Sequence, residues 1–224
     1  MTSPEKSRNG SVIWIGVLAV VLILGLVAII ASRGGSSDGD DTATGGGAST
    51  TTVSVPTSVD PGSAPVLPAY DANADPDPAV GQTIPTATGK TFDGDDITIG
   101  PNGKAQIILF VAHWCPHCQR EIPLLKAHLD DHPMPDDVAL TTVSTSVHPG
   151  ADNYPPQEWL EREGWKAPVL DDGEDSLVAN DFGLTSFPYF VAVDAQGKVV
   201  MRASGELTTD QFDAAVKAAQ TGQA

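Results

Sequence analysis

One junction restricts this chain more than any other feature. Ala105 to Ala112 (AQIILFVA) is an unbroken apolar run of strand length, and Cys115-Pro116-His117-Cys118 follows within three residues. A short run that is apolar at every position suits a strand covered on both faces. Beyond it Ile122, Leu125 and Leu129 recur at helical spacing, which predicts a helix from about Pro116 to Asp130. Pro116 suits a first helical turn, where its missing N–H is not needed, and Pro123 inside the pattern predicts a kink.

The elements around the junction read in sequence. Ile97 to Ile99 is a short strand closed by Gly100-Pro101-Asn102-Gly103, and Val138 to Ser144 is another strand. Pro155 to Glu163 is a helix ended by Gly164, Ala167 to Leu170 is extended, and Asp175 to Phe182 is a helical turn or two. Tyr189 to Val193 and Lys198 to Ala203 flank the turn Asp194 to Gly197 as a hairpin. Thr208 or Thr209 caps a last helix, Asp210 to about Ala219, with Phe212 and Val216 on one face. Together they predict an α/β fold with a mixed central sheet flanked by helices.

The rest of the chain has a different composition. Val12 to Ala31 is a run of twenty residues without a charge. As a helix it would span about 30 Å, the thickness of a hydrocarbon core. No clear A-x-A site follows it, so an uncleaved anchor is favoured over a signal peptide. Lys6 and Arg8 precede the run and Asp38, Asp40 and Asp41 follow it. The expected organisation is therefore a cytoplasmic arm (1–11), a single-pass membrane anchor (12–31), a Gly/Ser/Thr/Asp/Pro-rich disordered tether (32–80) and an extracytoplasmic domain (81–224). The tether carries net −6 and the domain net −12 of the total −17. Nucleic acid is an unsuitable partner for such a polyanion, and the charge reads as a solvated exterior surface.

Cys115 and Cys118 are the only cysteines. A structural zinc site needs four ligands, and the spacing of His113, His117 and His128 does not complete one. A four-residue disulfide loop would stabilise little as a passive brace. At a helix N-terminus, unpaired N–H groups and the helix dipole favour a thiolate. Cys115 is thus the expected nucleophile, with Cys118 one turn behind it to resolve a mixed disulfide. His117 is an expected second influence on Cys115. The disulfide itself is the redox group, and no other cofactor is expected. A copper(I)-binding transfer module is the alternative from another class, because thiolates suit that ion. A peroxidase fits less well, since its attacking cysteine would lie in a tight C-x-x-C.

Phe110, Ala112, Trp114, Cys115 and Cys118 match an F-x-A-x-W-C-x-x-C junction, followed by Glu121, Pro123 and Leu124. Phe187-Pro188 precedes a strand, and Asp194, Gly197, Lys198 and Gly205 fit a hairpin with a trailing glycine. In these respects the region from Gly81 resembles the thioredoxin superfamily, specifically its membrane-anchored TlpA/ResA-like thiol–disulfide oxidoreductases. The resemblance implies exchange of disulfides with protein substrates, fed by a membrane or extracytoplasmic redox partner. It implies a reductase, as in cytochrome c maturation. It also implies a cis-proline at Pro188, with Phe187 beside it in a substrate groove and Trp114 as a lid next to Cys115. The Pro116-His117 dipeptide is shared with the oxidase DsbA, whose potential is about −120 mV, and so implies an oxidase or isomerase of secreted proteins as the alternative. Two departures stand out. Tyr189 replaces a smaller residue after the proline, and Leu109 occupies the place of a buried carboxylate six positions before the first cysteine. Glu121, three residues past Cys118, is then a weak candidate for the proton acceptor.

Overall fold

In the computed structural model, the backbone of Ser58–Val59 and residues 66–223 are described. The anchor and most of the tether expected from the sequence lie outside the described residues. Among the described residues no helix is long and apolar enough to cross a membrane.

The chain folds around β4 (Ala105–Val111), the strand expected from the apolar run. It pairs in parallel with β5 (Val138–Thr145) and antiparallel with β7 (Tyr189–Val193). β6 (Val169–Gly173) extends the parallel side and β8 (Val199–Ser204) the antiparallel side. The five-stranded order is β6-β5-β4-β7-β8, a mixed sheet with β4 at its centre. A second, antiparallel sheet joins β1 (Ser58–Val59), β2 (Ala87–Lys90) and β3 (Asp96–Ile99).

Both faces of β4 are covered, which is why no polar alternation appears in it. Ile107, Leu109 and Val111 pack into one core with helix α1 (Pro116–Asp131), helix α2 (Pro156–Arg162) and helix α4 (Thr209–Thr221). Ile108 and Phe110 pack into a second core with helix α3 (Leu177–Asp181), Ile99 and Ala87. The helix α1 runs on through Pro123 as one element. Helix α4 opens on a capping box, in which Thr208 accepts from the Gln211 N–H and the Gln211 side chain accepts from the Thr208 N–H.

One sequence boundary needs correction. Residues 66–80, assigned to the disordered tether on composition, are packed on the domain. Leu67 and Ala79 are buried in the second core. Arg202, buried in β8, donates to both carboxylate oxygens of Asp77 at 2.8 and 2.6 Å and to the Pro68 carbonyl at 2.7 Å. Pro68 in turn needs Gly183, whose φ is +73°; a Cβ there would meet the Pro68 carbonyl oxygen at 2.3 Å. The folded unit thus begins by residue 66. A few buried side chains hold this Pro- and Asp-rich segment, and composition averages them away.

Candidate active site

The site is built where β4 hands over to α1. The Cys115 N–H donates to Ala112 O at 3.0 Å, closing a turn, and the Cys115 carbonyl accepts from Gln119 N–H at 3.0 Å. Cys115 is the N-cap of α1 and Pro116 its first residue. Both cysteines are unbridged; Cys115 retains a little exposure and Cys118 none.

Their environments push the two thiols apart. A hydrogen bond from the Cys118 side chain draws Cys115 down to about 5. Burial opposes this, and the backbone N–H groups of Cys118 and His117 and the charge of His117 add to it. Burial drives Cys118 strongly upward, reinforced by its hydrogen bond to Cys115. A thiolate at the helix N-terminus and a protonated thiol behind it are the starting states that a nucleophile and a resolving group would need.

Glu121 is 1% exposed, on the same face of α1 as Cys118. Burial pushes its carboxyl up to about 7, against a hydrogen bond from the Leu207 N–H. It is also among the charges that raise Cys118. Leu109 lies fully buried in β4, and the buried carboxyl on the Cys118 face of α1 is that of Glu121.

The residues around the pair fall into two groups. The Trp114 Nε1–H donates to Ser146 O at 2.7 Å, and its ring meets the Phe187 ring edge-on at 5.8 Å between centroids. The Phe187–Pro188 bond is cis, and Pro188 O accepts from the Gly205 N–H at 2.9 Å. His117 and Phe187 line a common open hollow of about 530 Å³ with Tyr70, Asp71, Ser204 and Gly205. Tyr189 faces away from it, into the second core. Its hydroxyl donates to Phe182 O at 2.9 Å and accepts from Arg202 at 3.1 Å. The bulky residue after the proline therefore fills the core and leaves the groove free.

Three residues of the site carried no role in the sequence. His113 is fully buried; its Nδ1 lies 2.7 Å from Asp152 O and its Nε2 accepts from the His148 N–H at 3.0 Å. It clamps the 146–153 loop against the residues just before Cys115. Arg120 and Glu206 meet His117 on the surface, with Glu206 Oε1 2.6 Å from His117 Nδ1. Glu206 follows Gly205 at the end of β8, and no local pattern marks a lone glutamate 89 residues from its partner. Among the described residues no group of three or more His, Cys, Asp or Glu side chains is arranged to hold a metal ion.

Comparison with known proteins agrees with this geometry. A family model described as the AhpC/TSA family matches residues 77–202. The chain is 26% identical over 123 residues to the sporulation thiol-disulfide oxidoreductase A of Bacillus subtilis (strain 168), covering 55% of this chain and 73% of the relative. It is 26% identical over 135 residues to the thiol-disulfide oxidoreductase ResA of Geobacillus thermodenitrificans (strain NG80-2), covering 60% and 74%. The crystal structure of StoA from Bacillus subtilis superposes with a TM-score of 0.50 at 24% identity, over 62% of this chain and 98% of that one. A thiol:disulfide interchange protein of the thioredoxin family from Chlorobium tepidum superposes with a TM-score of 0.51 at 24% identity, over 67% and 99%. The fold is thioredoxin-like.

Proposed function

The chain belongs to the AhpC/TSA family and is a thiol–disulfide oxidoreductase of the StoA/ResA kind, and from that premise we propose that it reduces disulfides of extracytoplasmic proteins while tethered to the membrane. The direction is the one that the TlpA/ResA resemblance implies, and the observation that supports the exchange chemistry is the buried Glu121 on the Cys118 face of α1, its carboxyl pushed up to about 7. In a reductase Cys118 must lose a proton before it can act, and an acceptor poised near 7 suits that transfer at working pH.

The Cys115 thiolate attacks one sulfur of a substrate disulfide, forming a mixed disulfide and releasing the first substrate thiolate. Cys118 then gives its proton to Glu121, directly or through water, and attacks the Cys115 sulfur. The Cys115–Cys118 disulfide forms, the second substrate thiolate leaves, and two electrons have passed to the substrate. A membrane or extracytoplasmic dithiol donor returns the pair to its reduced form. The anchor at 12–31 and a tether ending before residue 66 would hold the domain outside the membrane, within reach of substrates such as apocytochrome c. Phe187, Pro188 and Trp114 form the wall against which the substrate chain lies, while Pro116 and His117 tune the pair.

A second reading, oxidation of secreted proteins, is favoured by the Cys115 thiolate at about 5 and by the neighbouring His117. A stabilised thiolate stabilises the dithiol form and makes the disulfide a stronger oxidant. Equilibration of the full chain with glutathione decides between them. A potential near about −270 mV supports the reductase, and one near about −120 mV overturns it in favour of the oxidase.

A further inference from the structure

His117 and Arg120 stand one turn apart on α1, and both reach Glu206 at the far end of β8. His117 Nδ1 lies 2.6 Å from Glu206 Oε1. The Arg120 Nε donates to the same carboxylate, 3.0 Å from Oε1 and 3.3 Å from Oε2, and a terminal nitrogen also meets Oε1. That terminal nitrogen is 2.8 Å from His117 Nδ1.

These contacts cannot all be hydrogen bonds. A guanidinium only donates, and Nδ1 either carries a hydrogen or accepts one. A bare Nδ1 at 2.6 Å would set its lone pair against those of a carboxylate. A protonated Nδ1 makes a short charge-assisted bond there, while Arg120 donates to the same carboxylate through Nε and one terminal nitrogen. The arrangement therefore selects Nδ1–H. Nε2 has no hydrogen-bond partner among the described residues. The side chains of His117 and Arg120 are 58% and 56% exposed, so packing does little to hold either in place.

We propose that Glu206 is a positioning residue for the thiol chemistry, anchoring the His117 imidazole in its Nδ1–H form and the Arg120 guanidinium together beside Cys115. Both anchored groups face the nucleophile electrically. His117 helps to draw Cys115 down, and the Cys115 charge is among those that raise Arg120. The next residue binds the buried acid through its backbone, since the Leu207 N–H donates to Glu121. One short segment after Gly205 thus touches the partners of both cysteines.

The inference rests on Cys115–Cys118 being the redox pair, and its test separates the two. Thiolate absorbance of the reduced protein gives the acid dissociation constant of Cys115, and nitrogen NMR reports which His117 nitrogen carries the hydrogen. Glu206→Ala should lower that constant roughly three- to fivefold, the scale of exposed charge pairs, with Glu206→Gln in between. The Nδ1–H signature of His117 should be lost in Glu206→Ala. In a His117→Ala/Arg120→Ala background, Glu206→Ala should produce no such fall. An unchanged or raised constant in the single variant overturns the proposal, as does an equal fall in the background variant. Unaltered thermal midpoints exclude misfolding as the cause. Failure of the wild-type protein to exchange disulfides would instead refute the redox reading, whatever Glu206 does.

Discussion

The backbone N–H of Leu207 donates to both carboxylate oxygens of Glu121, at 3.3 and 3.2 Å, across 86 residues of sequence. This is the only hydrogen bond the buried carboxyl receives among the described residues, and it does not offset the cost of burial. The folded protein therefore binds the Glu121 proton more tightly than the unfolded chain does.

The pH dependence has a definite sign. With the folded value near 7 and the ordinary value at 4.5, Glu121 favours the fold below about 4.5. That contribution is lost as pH rises from 4.5 to 7, on the order of 3 kcal/mol in all. The stability difference between wild type and Glu121→Gln, from urea unfolding at each pH, should shift by this amount in favour of the variant across that window. The variant should also release product from the mixed disulfide about 10²-fold more slowly at pH 7, because Cys118 has lost its proton acceptor.

Cys115 runs the other way. Its ordinary value of 9.0 falls to about 5, so its contribution to the dithiol form is complete above 9, shrinks as pH falls and vanishes below 5. At pH 7 it amounts to roughly 3 kcal/mol. The disulfide form lacks this titration. The stability of the reduced protein relative to the oxidised protein should therefore rise from pH 5 to pH 9, and the thiolate absorbance should titrate with a midpoint near 5. A midpoint above 8 would remove the basis for Cys115 as the activated nucleophile. Cys118→Ser should accumulate the mixed disulfide, and Cys115→Ser should form none.

What the sequence disclosed and what it hid divide along contact range. Residues 105–111 announced a doubly covered strand because Ile107 and Leu109 serve one core while Ile108 and Phe110 serve the other. Cys115 and Cys118 announced a cysteine pair at a helix N-terminus through local spacing alone. β2 was hidden because Ala-Thr-Gly-Lys has no apolar alternation; pairing with β3 holds it in place. Glu206 and Asp77 were hidden because their partners lie 89 and 125 residues away, and single acidic residues carry no period. Glu121 lay between these extremes. Its position in the helix was readable, but its burial depends on the loop carrying Leu207.

His113 shows what such a hidden contact does for the site. Its two ring nitrogens serve the Asp152 carbonyl and the His148 N–H, and its own carbonyl accepts from Gln119 at 2.9 Å and Asn153 at 3.3 Å. Truncation to Ala removes both ring bonds in a part-buried region. Water reaches the freed backbone groups of the exposed His148 and Asp152, so the loss follows the net worth of two hydrogen bonds, and His113→Ala should cost about 1–3 kcal/mol in urea unfolding. The 146–153 loop also carries the Ser146 carbonyl that holds Trp114. Trp114 fluorescence should therefore shift in His113→Ala under native conditions, before any unfolding. A variant as stable as wild type would show that the clamp is dispensable.

The Arg202–Asp77 pair tests where the folded unit begins. The Arg202 side chain is fully buried and Asp77 nearly so, with 2.6 Å between them. Burial opposes charge on both, but their mutual hydrogen bonds win, keeping Asp77 below its ordinary range and Arg202 above its own. Removing one partner of such a pair strands the other charge, at a cost of about 3–5 kcal/mol. Asp77→Ala should lose that much stability. A chain beginning at residue 81, the boundary drawn from composition, should lose at least as much, because it also gives up the buried Leu67 and the Pro68 carbonyl that Arg202 binds. A chain beginning at residue 66 keeps these contacts, though it gives up β1, and should unfold at a clearly higher urea concentration than the chain beginning at 81. Equal stability of the chains beginning at 66 and 81 would return residues 66–80 to the tether.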